Sequence, residues 1–223
     1  MESSAKVYAE PVTVTGRLHE LDVRESTLIE AVRYGLQFVR ESTRHDPRTA
    51  LGMLAWGKVT RGLRDRLIPL GWTMDNERNY DISIHPSKGY AIAVSAGDKN
   101  TGNEDRSPTT SGEKGQCTKD AVLQNSQLQF SRVLPAEFPP KITDTLQTWI
   151  LLYHIDPKDE QIRVELSLPA GMNNDDRIAT WHERIILTSQ PFGSPPVSTT
   201  DDDRPDGGYD TVEVDVQRRT KVS

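Results

Sequence analysis

A strongly apolar hairpin pattern at residues 148–168 constrains the fold more than any other part of the chain. Residues 149–155 read Trp-Ile-Leu-Leu-Tyr-His-Ile, which is typical of a strand covered on both faces. The next segment alternates apolar residues with polar ones, namely Ile162, Val164, Leu166 and Leu168 with Arg163, Glu165 and Ser167. Asp-Pro-Lys-Asp-Glu between them supplies turn residues. The pattern predicts two paired strands at the centre of a sheet.

Two amphipathic helices are predicted before this sheet. Thr27 and Glu30 have the spacing of a capping box, in which each side chain satisfies a backbone N–H at the start of a helix. Apolar residues then recur on one helical face, at Leu28, Ile29, Val32, Leu36 and Val39. Pro47 ends this helix, because a proline pushes the preceding residue out of the helical region.

The second helix is predicted from about Arg48 to Leu67. Its apolar stripe consists of Gly52, Ala55, Trp56, Val59, Leu63 and Leu67. Lys58, Arg61 and Arg64 lie roughly opposite this stripe, where they would face solvent or a partner. Residues 24–66 contain nine basic and five acidic side chains, although the whole chain has a net charge of -6. This local excess predicts a basic helix face that could pair with the phosphates of nucleic acid.

A second hairpin is predicted at residues 80–95, with Pro-Ser-Lys-Gly at its turn. The small residues Ala91, Ala93 and Ser95 would share one face of it and let a helix pack close to the sheet. The apolar residues of 119–134 fit neither the helical nor the strand period well, and the segment is interpreted as a short helix followed by a strand. Residues 177–182 are interpreted as a helical turn and residues 184–188 as a last strand.

The fold class predicted for the chain is α+β, with two N-terminal helices packed on a mainly antiparallel sheet of hairpins. Residues 1–23 are expected to be an edge strand or a flexible arm, with weak alternation at residues 12–15. Residues 24–188 would form a single domain. Residues 189–223 contain four prolines and three consecutive aspartates, which predicts a disordered acidic tail. Alternating valines at 212–216 could add to a sheet edge.

Composition narrows the class of protein further. Cys117 is the single cysteine, so an internal disulfide and a cysteine-rich zinc site are both excluded. The N-terminus lacks the apolar core of a signal peptide, and no run reaches the ~20 apolar residues of a membrane span. The five histidines show no zinc-protease spacing, and His154 is interpreted as a core residue. We expect a cytoplasmic, soluble protein without a cofactor or a metal.

A metal-dependent nuclease centre is disfavoured by the residues around the second hairpin. Such a centre needs an aspartate followed, on the next strand, by an acidic residue and a lysine. Asp81 stands in the first position, but the next strand carries no acid before Asp98, which Lys99 follows directly. Asp81 is therefore expected to order its strand or to face solvent.

A second candidate site is the glycine-rich loop that follows the second hairpin. Glycines let backbone N–H groups approach an anion and lysines neutralise its charge, so this loop could hold a phosphoryl group. The candidate ligand-binding residues are Ser95, Gly97, Lys99, Thr101 and Lys114, with Asp81 and His85 from the hairpin. The spacing does not match a P-loop, since no Lys-Ser or Lys-Thr follows a Gly-to-Gly interval.

Two functional interpretations follow. The first is a non-enzymatic protein that binds nucleic acid through Lys58, Arg61 and Arg64, or a protein partner through a sheet edge and the tail. In this interpretation the acidic tail could compete with a polyanion for the basic face. The alternative is an enzyme that acts on a nucleotide or another phosphoryl ligand and uses the loop at residues 95–115.

Overall fold

The computed structural model describes residues 5–40, 45–133, 146–156 and 160–191. These residues form four α-helices and a mixed sheet, which confirms the predicted α+β class. The helices are α1 (Pro11–Leu21), α2 (Glu25–Arg40), α3 (Arg48–Leu67) and α4 (Gln116–Val133). The strands are β1 (Lys6–Tyr8), β2 (Thr73–Asp75), β3 (Ile82–Ile84), β4 (Tyr90–Ala96), β5 (Gln147–Asp156), β6 (Gln161–Met172), β7 (Ile178–Ile186) and β8 (Gln190–Pro191).

The strands lie in the order β1-β7-β6-β5-β4-β3-β2, and β8 pairs with β6. The predicted central hairpin is confirmed as the antiparallel pair β5–β6, in which Ile150 lies opposite Ser167. The second predicted hairpin is the antiparallel pair β3–β4. β4 and β5 pair in parallel, which requires a crossover, and α4 lies in that connection. The sheet is therefore mainly antiparallel, with parallel pairs between β4 and β5 and between β1 and β7.

Different helices cover the two faces of the sheet. On one face, a buried cluster joins α1, α2 and α3 to side chains of β4, β5 and β6, including Leu28, Val32, Val59, Leu63, Ile92, Trp149, Leu151, Val164 and Leu166. On the other face, Val122 of α4 belongs to a second cluster with Ile82, Ala91, Ala93, Ile150, Leu152, Ile178 and Trp181. The helix predicted to cover the small residues of β4 is therefore α4.

α2 and α3 cross closely at a glycine contact. A Cβ added at Gly35 would lie 2.3 Å from Val59 Cγ2 and 2.6 Å from the backbone nitrogen of Val59. Gly62 makes a similar contact, because a Cβ there would lie 2.8 Å from the Tyr34 ring. Gly52 and Gly57 of α3 differ, since nothing lies within 4 Å of a Cβ built at either position. Two of the glycines therefore have a packing role and two face open space.

The alternating residues 12–15 are helical and do not form the expected edge strand or flexible arm, although β1 in the same N-terminal region is an edge strand. Residues 12–15 lie inside α1, which starts at Pro11, where the fixed backbone angle of proline suits the first helical turn. Val14, Leu18 and Leu21 are buried at helical spacing. The short alternation Val-Thr-Val-Thr fits the period of a strand and also that of a helix. The burial of Val14, Leu18 and Leu21 favours the helix. The strand at this end of the chain is β1.

Two further predictions of local structure are wrong. Residues 119–133 form one helix, in which Val122, Asn125 and Leu128 face the sheet. Asn125 interrupts the apolar period because its amide donates to Thr148 O at 2.8 Å and its oxygen accepts from Thr148 N at 2.9 Å. Residues 178–186 form β7 instead of a helical turn and a later strand. Its pairing with β6 shifts register near Pro169, which disturbs the alternation.

β8 extends the sheet to residue 191, beyond the predicted domain boundary at residue 188. The predicted acidic tail otherwise lies outside the described residues, as does the valine segment at 212–216. None of the described helices combines the length and the apolarity needed to cross a lipid bilayer.

Candidate functional site

The outward side of α3 is an apolar groove with two cations at its border. Residues at helical spacing line a cavity of about 500 Å³, which Asp46 also lines. We call this side the α3 surface and define it by Ala50, Leu51, Met53, Leu54, Gly57, Lys58 and Arg61. Met53 is 73% exposed and Leu54 is 37% exposed. Because Gly57 has no side chain, it leaves the space between its neighbours open.

The three residues of the predicted basic face do not act as one patch. Lys58 Nζ lies 4.3 Å from the ring centroid of Phe38, in a cation–π contact between α3 and α2. Arg61 pairs with Asp65 one turn away at 3.4 Å, and both side chains are more than half exposed. Exposed pairs of this kind are weak, so Arg61 can exchange Asp65 for a partner.

Arg64 points into the protein, contrary to the prediction that it faces outward. Its side chain is 14% exposed and lies 3.4 Å from Asp81. Arg64 Nη2 also donates to the carbonyl oxygens of Asp75 and Ile82, both at 3.2 Å. These hydrogen bonds connect α3 to β2 and β3. Of the three residues predicted to form the basic face, Lys58 and Arg61 therefore remain on the outward side.

The seven predicted ligand-binding residues lie on two different faces of the sheet. Asp81 pairs with Arg64, and His85 contacts Trp72 and Tyr90 on the face that carries α1, α2 and α3. Ser95 lies on β4 in the alternation of Ala91 and Ala93, which belong to the cluster on the α4 side. Asp81 and His85 therefore cannot share one ligand with Ser95.

Ser95 and Lys114 do come together. Lys114 Nζ donates to Ser95 Oγ at 2.7 Å, although the two residues lie at opposite ends of the loop. Burial lowers the pKa of Lys114 to about 8, and the nearby Arg177 contributes to this shift. Arg177 Nε is buried and makes no hydrogen bond to any described residue. The position of Arg177 beside this lysine was not predicted from the sequence.

The other loop residues have structural contacts. Lys99 is exposed, and its carbonyl oxygen accepts from Arg163 at 3.2 Å. Thr101 is fully buried, and a Cβ added at Gly97 would lie 2.1 Å from its hydroxyl oxygen. Gly97 bridges to Thr110, so the two ends of the loop are joined by backbone pairing. The loop is thus an ordered layer over the sheet.

A buried ion pair that the sequence analysis missed fixes this loop. Arg184 Nη2 and Nε donate to the two carboxylate oxygens of Glu165 at 2.6 Å and 3.1 Å. The side chains of Arg184 and Glu165 are 2% and 0% exposed. Arg184 also donates to the carbonyl oxygens of Asn103 and Arg106, and Gly102 N donates to Glu165. The polar positions of β6 and β7 therefore face the loop instead of solvent.

A second cavity, of about 450 Å³, lies where α1 and α2 meet the turn between β3 and β4. We call it the His85 cavity and define it by His19, Asp22, Val23, Arg24, Thr27, Leu67, Leu70, Trp72, His85 and Pro86. The His85 side chain is 2% exposed. Tyr90 OH donates to Leu21 O at 2.6 Å, and Lys88 Nζ donates to Glu20 O at 2.6 Å. These two bonds fix the turn against α1 and set the shape of the cavity.

The contact between Ser126 and His182 does not have the hydrogen bonding of a catalytic serine and its base. Ser126 Oγ lies 3.3 Å from His182 Nε2, but it also donates to Ala170 O at 2.8 Å. Because a hydroxyl has one proton, His182 must be the donor to Ser126 and cannot act as its base. Among the residues that the structure describes, no three histidine, cysteine, aspartate or glutamate side chains form a group that could hold a metal ion.

The chain was compared with protein-family models, with curated proteins and with solved structures, and none of the three comparisons found a match.

Proposed function

We propose that the protein is a non-enzymatic binding protein that docks an acidic, amphipathic helix of a partner protein on the α3 surface. The observation that carries this proposal is the exposure of Met53 and Leu54 on a helix face bordered by Lys58 and Arg61. The side chains of a helix that only needs solubility would be polar on this face. An exposed apolar groove with a polar border is typical of a protein interaction site.

The shape of the α3 surface suits a helical ligand. Its residues recur at intervals of three and four, so the groove runs along α3, with Gly57 at its floor. Grooves of this kind hold the apolar side of an amphipathic helix. Lys58 and Arg61 at the border would pair with acidic residues of that helix, which gives the partner its expected charge.

A protein partner is favoured over nucleic acid. Binding through phosphates requires several outward cations on one surface, and Arg64 is held inside by Asp81. The apolar area contributed by Met53 and Leu54 would have no favourable contact with a phosphate backbone. A sheet edge is also a weaker candidate, because β1 and β2 at the edges of the main strand order contain only three residues each.

The experiment compares Gly57→Gln with Gly52→Gln. Both substitutions replace a helical glycine that faces open space, so both should increase helix stability by up to ~1 kcal/mol. Only Gly57 lies in the groove. The probe is a fluorescent helical peptide with leucines at intervals of three and four and glutamates elsewhere. We expect fluorescence anisotropy to show binding to the native chain and to Gly52→Gln, and at least ~10-fold weaker binding to Gly57→Gln.

Two further ligands decide between the alternatives. A peptide with lysines in place of the glutamates should not bind, because Lys58 and Arg61 would repel it. Single-stranded and double-stranded DNA should bind more weakly than the acidic peptide at the same salt concentration. Equal affinity of both Gln variants for the acidic peptide, or tighter binding of DNA, would overturn the proposal. The second result would favour the nucleic-acid interpretation.

A phosphoryl ligand at Lys114 is the second candidate function. Lys114 and Arg177 lie close enough for their charges to interact, and Lys114 Nζ is held by the neutral hydroxyl of Ser95. Two neighbouring cations are suitable donors for a phosphate, whereas the Ser95 hydroxyl already donates to Ala96 O at 3.0 Å. We expect inorganic phosphate or ATP to raise the unfolding temperature, and Lys114→Met to remove this effect. Lys99→Met is the control, because Lys99 is an exposed lysine of the same loop. A shift retained in Lys114→Met would exclude this site.

A further inference from the structure

The His85 cavity contains a buried hydrogen-bond donor that lacks a well-formed hydrogen bond. His85 Nδ1 accepts from the backbone N–H groups of Ser87 and Lys88, both at 3.1 Å. A nitrogen that accepts two hydrogen bonds carries no proton, so the proton of the neutral ring lies on Nε2. Nε2 is buried and forms no hydrogen bond with any described residue. A buried donor of this kind is destabilising when it stays unpaired, and a ligand that accepts from it would offset this cost.

Asp22 supplies an acceptor next to this donor. Its Oδ2 lies 3.5 Å from His85 Nε2, which is too long for a good hydrogen bond. Asp22 is held there by a left-handed backbone, with φ of 58°, at the end of α1. Nε2 has less than 1 Å² of accessible surface, so an atom that accepts from Nε2 and donates to the carboxylate requires a small movement of the exposed Asp22 side chain. A hydroxyl group does both with a single oxygen.

The rest of the cavity is suited to an apolar body. Val23, Leu67, Leu70, Trp72 and Pro86 form much of its lining. The ring of Trp72 lies edge-on to His85, with 4.8 Å between the centroids, so it stands next to the polar end. A volume of about 450 Å³ lies in the usual range of small-molecule sites. Apolar walls with a few converging polar groups are the common composition of such sites.

We infer that the His85 cavity binds a small uncharged molecule with an aromatic or aliphatic body and a hydroxyl group that bridges His85 Nε2 and Asp22. Arg24 also lines the cavity, but the two groups at its polar end, His85 Nε2 and the Asp22 carboxylate, favour a neutral hydroxyl over a charged head group. A carboxylate could accept from Nε2 but would be repelled by Asp22. An ammonium group could pair with Asp22 but cannot accept from Nε2. This ligand is distinct from the helix proposed for the α3 surface, since the two sites share no lining residue.

The test uses four fragments of similar size, namely p-cresol, toluene, benzoate and benzylamine, measured by isothermal titration calorimetry. We expect p-cresol to bind about tenfold more tightly than toluene, which corresponds to one hydrogen-bonded hydroxyl in a buried site. Benzoate and benzylamine should bind more weakly than p-cresol. No binding of p-cresol, or tighter binding of either charged fragment, would overturn the inference.

Two variants link this preference to the named residues. His85→Phe keeps an aromatic ring beside Trp72 and removes the Nε2 proton, so the preference for p-cresol over toluene should disappear. Asp22→Gly removes the acceptor, and glycine adopts the left-handed backbone without strain. Asp176→Gly is its control, because Asp176 is an exposed aspartate with a similar φ of 54° outside the cavity. The inference is wrong if Asp22→Gly keeps the full preference, even where His85→Phe fails to fold.

Discussion

At the residue scale, the buried pair of Glu165 and Arg184 is the main determinant of the loop over the sheet. Its carboxylate accepts four hydrogen bonds: two from Arg184, one from Gly102 N at 2.9 Å and one from Ser167 Oγ at 2.8 Å. The side chains of Glu165, Ser167 and Arg184 are buried. Removal of one partner therefore leaves a buried charge without compensation.

We expect Arg184→Met to lower the free energy of unfolding by about 3–5 kcal/mol, because Glu165 would stay buried without its cation. Urea unfolding followed by circular dichroism measures this change. The double variant Glu165→Leu with Arg184→Met should be more stable than Arg184→Met alone, since it leaves no charge behind. A double variant that is less stable than the single one would show that the charge is not the cause.

Some contacts between residues were predictable and others were not, because many of the residues that contact each other lie far apart in the sequence. The sequence indicates that Ser95 and Lys114 belong to one loop, and the structure brings their side chains within 2.7 Å. Glu165 looks like an ordinary solvent-facing residue of an alternating strand. Its partner Arg184 lies on the next strand, and the loop that covers both comes from residues 97–115. No local pattern could show that this loop folds back over β6.

At the element scale, the crossing of α2 and α3 depends on the absence of a side chain at Gly35. We expect Gly35→Ala to lower the free energy of unfolding by about 1–3 kcal/mol, because the new methyl group would overlap Val59. Gly52→Ala is the matched control and should stabilise the protein by up to ~1 kcal/mol, since its Cβ meets nothing. Urea unfolding of both variants checks the prediction. Destabilisation of similar size in both would contradict it.

Elements with strong local signals were predicted well, and elements with polar core residues were not. α3 has the predicted bounds, from Arg48 to Leu67, because its buried residues Ala55, Val59, Leu63 and Leu67 keep the helical period. α4 was split because Asn125 replaces an apolar residue on its buried side. Only the end of β7 was predicted as a strand, within residues 184–188, because the shifts of register near Pro169 disturb the alternation in its first half. In α4 a satisfied polar group occupies a core position, which a pattern of hydrophobicity cannot show.

At the scale of the whole molecule, burial of histidines links stability to pH. Burial lowers the pKa of both His85 and His182 from the ordinary value of 6.5. The unfolded chain therefore binds more protons than the folded one below pH 6.5, and the free energy of unfolding falls as the pH drops. The loss is at most about 1.4 kcal/mol per pH unit for each histidine.

Urea unfolding between pH 7.5 and pH 5.5 tests this dependence. His182→Gln removes one of the two groups, so its stability should fall less steeply than that of the native chain over the same range. Equal slopes for the two proteins would show that His182 takes up a proton as easily in the folded state as in the unfolded one.

The overall class of the molecule was predictable, but the order of its strands was not. Both hairpins follow from local alternation and turn residues, so they give the antiparallel pairs β3–β4 and β5–β6. The parallel pairing of β4 with β5 depends on the path of α4 across the sheet. The packing of α1 on the sheet also depends on contacts between distant segments, such as the ion pair of Arg17 in α1 with Glu183 in β7. These contacts have no signature within a short window of sequence.

The way in which Arg184 holds its loop has a consequence for protein engineering. It binds main-chain oxygens of Asn103 and Arg106, while the side chains at Glu104 and Asp105 are exposed. Foreign peptide segments could therefore be grafted at 104–105 without disturbing the anchor, provided that Gly102 is kept in its left-handed conformation. The molecule would then display the grafted segment from a rigid base.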